Sequence, residues 1–216
     1  KFSLYKIYNS FNYSLLSRER QDINLSLGIT SPKVGEGKTM IACNLAVSLA
    51  MGSQKNTILI DLNIANPLLH KIFGVPLAPG LTEAFNSNEI HISQTAVDNL
   101  AVLSAGKSIV RHENLFLQSH VHNSMQGGRL KPSLGLEQLP AFRDIIYSLE
   151  QKYELIIVDM PAINSESVPN LFAQQLNGLI VVVRSGNTKR EDIDLMLQRV
   201  NENQVLGFVL NSFGQK

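Results

Sequence analysis

The chain has 216 residues, a formal net charge of +1, 44% hydrophobic residues and 17% charged residues. That length and balance fit one domain with its own core and exclude a disordered chain, and the near-neutral charge gives no electrostatic basis for a nucleic-acid partner. One cysteine, Cys43, excludes an internal disulfide and suits a reducing compartment, and no apolar run reaches the roughly 20 residues a membrane helix needs.

The chain begins at Lys1 without a methionine or a signal-peptide pattern, so an excerpt of a longer chain is expected. Tyr5, Tyr8 and Tyr13 recur at roughly helical spacing, where packing is the simplest role. "NLSLGIT" (24–30), "NTILIDL" (56–62), "NLAVLSA" (99–105), "ELIIVDM" (154–160), "GLIVVVRS" (178–185) and "VLGFVLN" (205–211) are short apolar runs, most with β-branched residues, and read as buried strands. Between the first two, residues 38–51 are apolar nearly all round, as in a helix buried against a sheet, with Cys43 as core. Residues 106–139 are the least regular and read as long loops around one short helix. His120 and His122 lie there without further ligands at metal-binding spacing, so a solvated loop explains them. Pro140 opens a helix running to about Tyr153. "RSGNTKRED" reads as a solvated loop leading into a helix over 188–202, with Thr188 and Glu191 as a capping box and Ile193, Met196, Leu197 and Val200 as its apolar stripe. Strands alternate with helices, so the fold class is α/β: a mostly parallel sheet, helices on both faces, and a ligand beyond the carboxyl ends of the strands.

The stretch "ITSPKVGEGKTMIACNLA" (29–46) falls at such a strand end. Gly35 and Gly37 permit a tight turn that presents backbone N–H groups, and a helix starting near Lys38 aims its positive dipole end at the same point. Lys38 supplies a charge for terminal phosphates and Thr39 a hydroxyl for magnesium. The candidate cradle is Lys33, Val34, Gly35, Glu36, Gly37, Lys38, Thr39 and Met40, with the Glu36 side chain expected to point to solvent. Pro32 stands where the strict P-loop pattern has glycine. Two further strands end in carboxylates. Asp159 is the candidate magnesium ligand and Asp61 a water holder or base, and Asp is also a common turn cap. The expected cofactors are therefore a nucleoside triphosphate and Mg2+.

Together "SPKVGEGKT", "TILIDLNIANPLLHKIFGVPLAPGLTEAF", "YELIIVDMPAI", "GLIVVVRSGNT" and "LGFVLN" resemble the bacterial tyrosine kinases of polysaccharide co-polymerase systems, from about Tyr5 to Asn211 with a looser middle third. The resemblance implies a deviant Walker A P-loop NTPase fold, shared with positioning ATPases, and control of capsule or exopolysaccharide chain length and export. It also implies a membrane co-polymerase or transmembrane activator as partner, a possible homo-oligomer, and a place at the cytoplasmic face of the membrane. It assigns phosphates and metal to Lys38 and Thr39, catalysis to Lys38 and Asp61, metal to Asp159, and an adenine contact to Asn211.

The chain also departs from that family. The second aspartate of the D-x-D motif is Asn63, and the basic residue two places on is Ala65. An amide keeps an acceptor but loses the charge magnesium favours. Ser3, Lys6 and Asn9 replace the Glu, Arg and Arg the family uses for ring assembly. No tyrosine cluster follows the last strand, so the expectation is that the tail is cut away, sits on a partner, or that the protein no longer phosphorylates itself. Lys33 lies five residues before Lys38, where positioning ATPases carry a lysine that reaches a partner subunit's nucleotide; a solvated loop lysine is the other reading. The expectation is an ATP-binding, tyrosine-kinase-like domain of residues 1–216. The alternatives are a weakened kinase-like ATP switch gating a membrane co-polymerase, and a positioning-type ATPase.

Overall fold

The computed structural model describes residues 24–87, 89–107, 134–165 and 169–211. Seven strands form one sheet in the order β3-β4-β2-β5-β1-β6-β7. They are β1 (Leu25–Thr30), β2 (Thr57–Asp61), β3 (Ser93–Gln94), β4 (Leu100–Leu103), β5 (Leu155–Asp159), β6 (Gly178–Arg184) and β7 (Val205–Asn211). All pairs are parallel except β3 with β4. β1, β2, β4 and β5 are buried on both faces, which is why they read as unbroken apolar runs rather than alternating ones.

The helices are α1 (Lys38–Ser53), α2 (Leu69–Phe73), α3 (Leu81–Ser87), α4 (Leu139–Glu150), α5 (Pro169–Ala173) and α6 (Arg190–Leu197). α1 and α2 cover one face. Ala42, Cys43, Leu45, Ala46, Leu49, Ala50 and Leu69 pack there on Leu27, Leu59 and Ile157. The alanines let α1 lie close to the sheet. α3, α4, α5 and α6 cover the other face through Leu81, Phe142, Ile146, Phe172 and Met196. Phe142 and Phe172 meet edge to face, centroids 5.2 Å apart. Pro140 falls in the first turn of α4, as its fixed φ favours.

α6 is shorter than its periodicity suggests, and its start is displaced. Lys189 is the N-cap, and its N–H donates to the Asp192 carboxylate at 3.0 Å. Thr188 and Glu191 do not form the expected box, because the Thr188 hydroxyl is drawn to Glu36. The apolar stripe holds: Met196 and Val200 are buried, with Ile193 and Leu197 packed beside them. Tyr5, Tyr8, Tyr13, Ser3, Lys6, Asn9, His120 and His122 lie outside the described residues.

Candidate nucleotide-binding site

Every parallel strand points its carboxyl end at the same edge, and the site is assembled there. β1 delivers the chain into the loop Ser31–Gly37, and α1 begins immediately after it at Lys38. Gly35 (φ +87) and Gly37 (φ +91) adopt the left-handed conformation that their spacing suggested. A Cβ on Gly37 would stand 2.2 Å from the Asn211 side-chain nitrogen, so this position needs glycine for space as well as for torsion.

The loop is braced by the segment after β5. Ile163 N–H donates to Ser31 O at 3.0 Å, Asn164 N–H to Pro32 O at 3.3 Å, and the Thr30 hydroxyl to Pro161 O at 2.8 Å. Asn211, at the end of β7, donates from Nδ2 to Glu36 O at 2.9 Å. The structure therefore brings the residue expected at the base onto the phosphate loop itself.

Asp61 and Asp159 are paired directly across β2 and β5. Both are buried, as is Lys38, whose charge bears on both carboxylates. Asp61 Oδ1 accepts from Asn63 N–H at 3.2 Å, and Oδ2 accepts from Leu68 N–H at 3.0 Å and Leu69 N–H at 3.1 Å. Asp61 thus anchors the loop that leads into α2. Burial still pushes its carboxyl up to about 6, against the pull of those N–H groups and Lys38. Asp159 rises to about 7: burial dominates, a hydrogen bond from Thr39 opposes it, Asp61 adds to it, and Lys38 opposes it.

Asp159 Oδ1 is buried and has no hydrogen-bond partner. An orphaned carboxylate oxygen beside a second carboxylate, a lysine and a hydroxyl fits a site for a cation escorting an anion. Thr39 and Asp159 are the residues that could hold such a cation.

Two expectations change. Glu36 does not point to solvent. Its side chain is fully buried, and it accepts from Lys33 N–H at 2.9 Å and from the Thr188 hydroxyl. An acceptor-only carboxylate in a loop rich in N–H donors finds partners inside. Lys33 is part-solvated, its side chain 38% exposed, and it is held in an ion pair rather than free. Its Nζ pairs with Asp192 at 2.7 Å. Val34 and Met40 are 68% and 67% exposed, so neither side chain is packed into the cradle. Sequence reasoning missed Thr188 and Asp192 as neighbours of this loop. Thr188 carried a signal, but its spacing matched a helix cap.

A family profile described as the CobQ/CobB/MinD/ParA nucleotide binding domain matches residues 27–216. The chain is 27% identical to the tyrosine-protein kinase ptk of Acinetobacter johnsonii over 97% of its own length, but spans only 26% of that protein. It is 30% identical to the tyrosine-protein kinase CpsD of Streptococcus pneumoniae over 86% of this chain and 74% of that one. It is 28% identical to the succinoglycan biosynthesis transport protein ExoP of Rhizobium meliloti over 86% of this chain and 22% of that one. Among solved structures, the kinase domain of the Escherichia coli tyrosine kinase ETK superposes with a TM-score of 0.77 at 21% identity, covering 97% of this chain and 74% of that one. The septum site-determining protein MinD of Pyrococcus horikoshii, complexed with Mg-ADP, gives 0.61 at 19% identity, covering 89% and 72%. The chain belongs to the CobQ/CobB/MinD/ParA nucleotide-binding family and, within it, to the bacterial tyrosine kinases.

Proposed function

We propose that residues 1–216 form an ATP- and Mg2+-binding domain of tyrosine-kinase type that regulates the length and export of a capsular or exopolysaccharide. The observation that carries this reading is the meeting of Lys38, Thr39 and an orphaned Asp159 oxygen at one loop. Lys33 to Met40 cradle the phosphates through backbone N–H groups and the start of α1. Lys38 neutralises terminal phosphate charge, Thr39 and Asp159 hold the cation, and Asn211 braces the loop through the Glu36 carbonyl. Asp61 fixes the loop facing the acceptor. Bound magnesium supplies charge neutralisation on the transferring phosphoryl group. ExoP's name as a transport protein, and its much greater length, support a membrane partner or segment at the cytoplasmic face. Among the described residues no helix is long and apolar enough to cross a membrane. Self-association and a transmembrane activator belong to the same proposal.

Asn63 favours a second reading, an ATP switch that transfers phosphate poorly. Its N–H serves Asp61, and its side chain brings no charge to the metal. Two measurements test the pair of readings. Lys38→Ala should lower ATP affinity by at least about tenfold in calorimetry, since a charge-assisted bond is worth ~1.5–3 kcal/mol. Unchanged affinity overturns the cradle. Radiolabel from γ-labelled ATP, with a tyrosine-bearing peptide supplied, should appear weakly with the parent and more strongly with Asn63→Asp. Strong labelling of the parent overturns the switch reading. No labelling of either removes the kinase reading.

A further inference from the structure

Glu36 is a carboxylate in the middle of a loop shaped for anions, and it is fully buried. A buried carboxylate is costly unless its oxygens are satisfied. Among the described residues no cation pairs with it. Its partners are neutral donors: Lys33 N–H at 2.9 Å on one oxygen and the Thr188 hydroxyl on the other. Thr188 Oγ1 in turn accepts Arg184 N–H at 2.8 Å, at the last residue of β6. The carbonyl of Glu36 receives Asn211 Nδ2, at the last residue of β7. One loop residue is therefore tied to the ends of two sheet strands.

We infer that Glu36 and Thr188 are a positioning pair for the phosphate cradle, an inference that rests on the nucleotide reading above. The carboxylate takes the inward Lys33 N–H, and Thr188 fixes the carboxylate against β6. The flanking glycines are thus held in the turn that offers their remaining N–H groups before any ligand arrives. Lys33 and Asp192 bridge the same gap, but their side chains are 38% and 25% exposed. Pairs that wet contribute little. The Thr188 link ends on a fully buried carboxylate, and it carries the positioning.

The test uses the whole chain with four variants: Thr188→Val, Thr188→Ser, Glu36→Gln, and Glu36→Gln combined with Thr188→Val. MgATP affinity is measured by calorimetry, and Lys33 amide exchange is measured without nucleotide. Thr188→Val keeps the side-chain shape and removes the hydroxyl. It should weaken MgATP binding about tenfold, the scale of one hydrogen bond to a charged group. It should also speed Lys33 exchange, and Thr188→Ser should restore both. The double variant should bind no more weakly than the weaker single, since both break one link. Parental affinity and exchange in Thr188→Val overturn the pairing, as do failure of serine to rescue and simple additivity in the double variant. Should Thr188→Val fail to fold, Glu36→Gln carries the comparison: parental affinity and exchange there also overturn it. A parent that takes up no MgATP overturns the nucleotide reading itself, a result separate from any comparison among the variants.

Discussion

At the scale of single residues, Asp159 carries a charge that the bare fold disfavours. Its carboxyl is pushed from 3.8 to about 7, burial being the main cause. Between those values the folded chain binds more proton than the unfolded chain. Stability of the ligand-free protein therefore falls as pH rises through that window, and Asp61, raised to about 6, acts in the same direction. Asp159→Asn should remove this penalty. Denaturant unfolding near pH ~8 should show the ligand-free variant more stable by about 1–3 kcal/mol. The same variant should show weaker magnesium dependence of nucleotide binding, because the orphaned oxygen is replaced. A destabilised variant at that pH would make Asp159 a structural group. The placement of Gly35, Gly37, Lys38, Thr39 and Asp159 at one edge was legible, because a glycine turn ahead of a helix and an acid closing a buried strand both show in sequence. Glu36 was not, because a charged residue between two glycines reads as solvated until its donors are seen.

At the scale of elements, legibility followed length. Six strands were readable as apolar runs; burial on both faces explains this for β1, β2, β4 and β5, while β7 is apolar in sequence although Phe208 and Leu210 are exposed. β3 has two residues, too few for any period to show. α2, α3 and α5 have five, seven and five residues, and short helices of that size are held by tertiary packing rather than by a sequence period. α6 was misplaced at its start because Thr188 has a better partner than the helix. Packing between the short α5 and the long α4 rests on Phe172 against Phe142. Both rings are fully buried, so Phe172→Ala should cost about 3–5 kcal/mol in denaturant unfolding, and Phe172→Leu less. The folded fraction of either variant should bind nucleotide as the parent does, since neither ring touches the loop or the carboxylates. A cost under about 1 kcal/mol for alanine would mean that α5 does not pack as a fixed element.

At the scale of the whole molecule, α1 joins site to core: its first turn borders the loop and its body packs on the sheet. Cys43 lies one turn past the phosphate loop, 8% exposed between α1 and the sheet. Its thiol is pushed up to about 12, by burial first and then by the negative charges of Asp159 and Asp61. The thiolate, not the thiol, is the nucleophile. Alkylation of the native chain at mildly alkaline pH should therefore be on the order of a thousandfold slower than that of a free thiol. Reaching Cys43 requires lifting α1 from the sheet, and α1 cannot lift without dissolving the cradle at its start. Labelling should consequently track unfolding of the whole domain. It should slow further with MgATP by the factor that ligand binding adds to the native state, one plus the ratio of ligand concentration to Kd. Lys38→Ala should lose the protection by nucleotide, its rate with MgATP matching its own rate without. Fast labelling of the native parent would show that α1 opens on its own. Slow labelling indifferent to MgATP in the parent would separate the core from the site and remove nucleotide from the account of what α1 does.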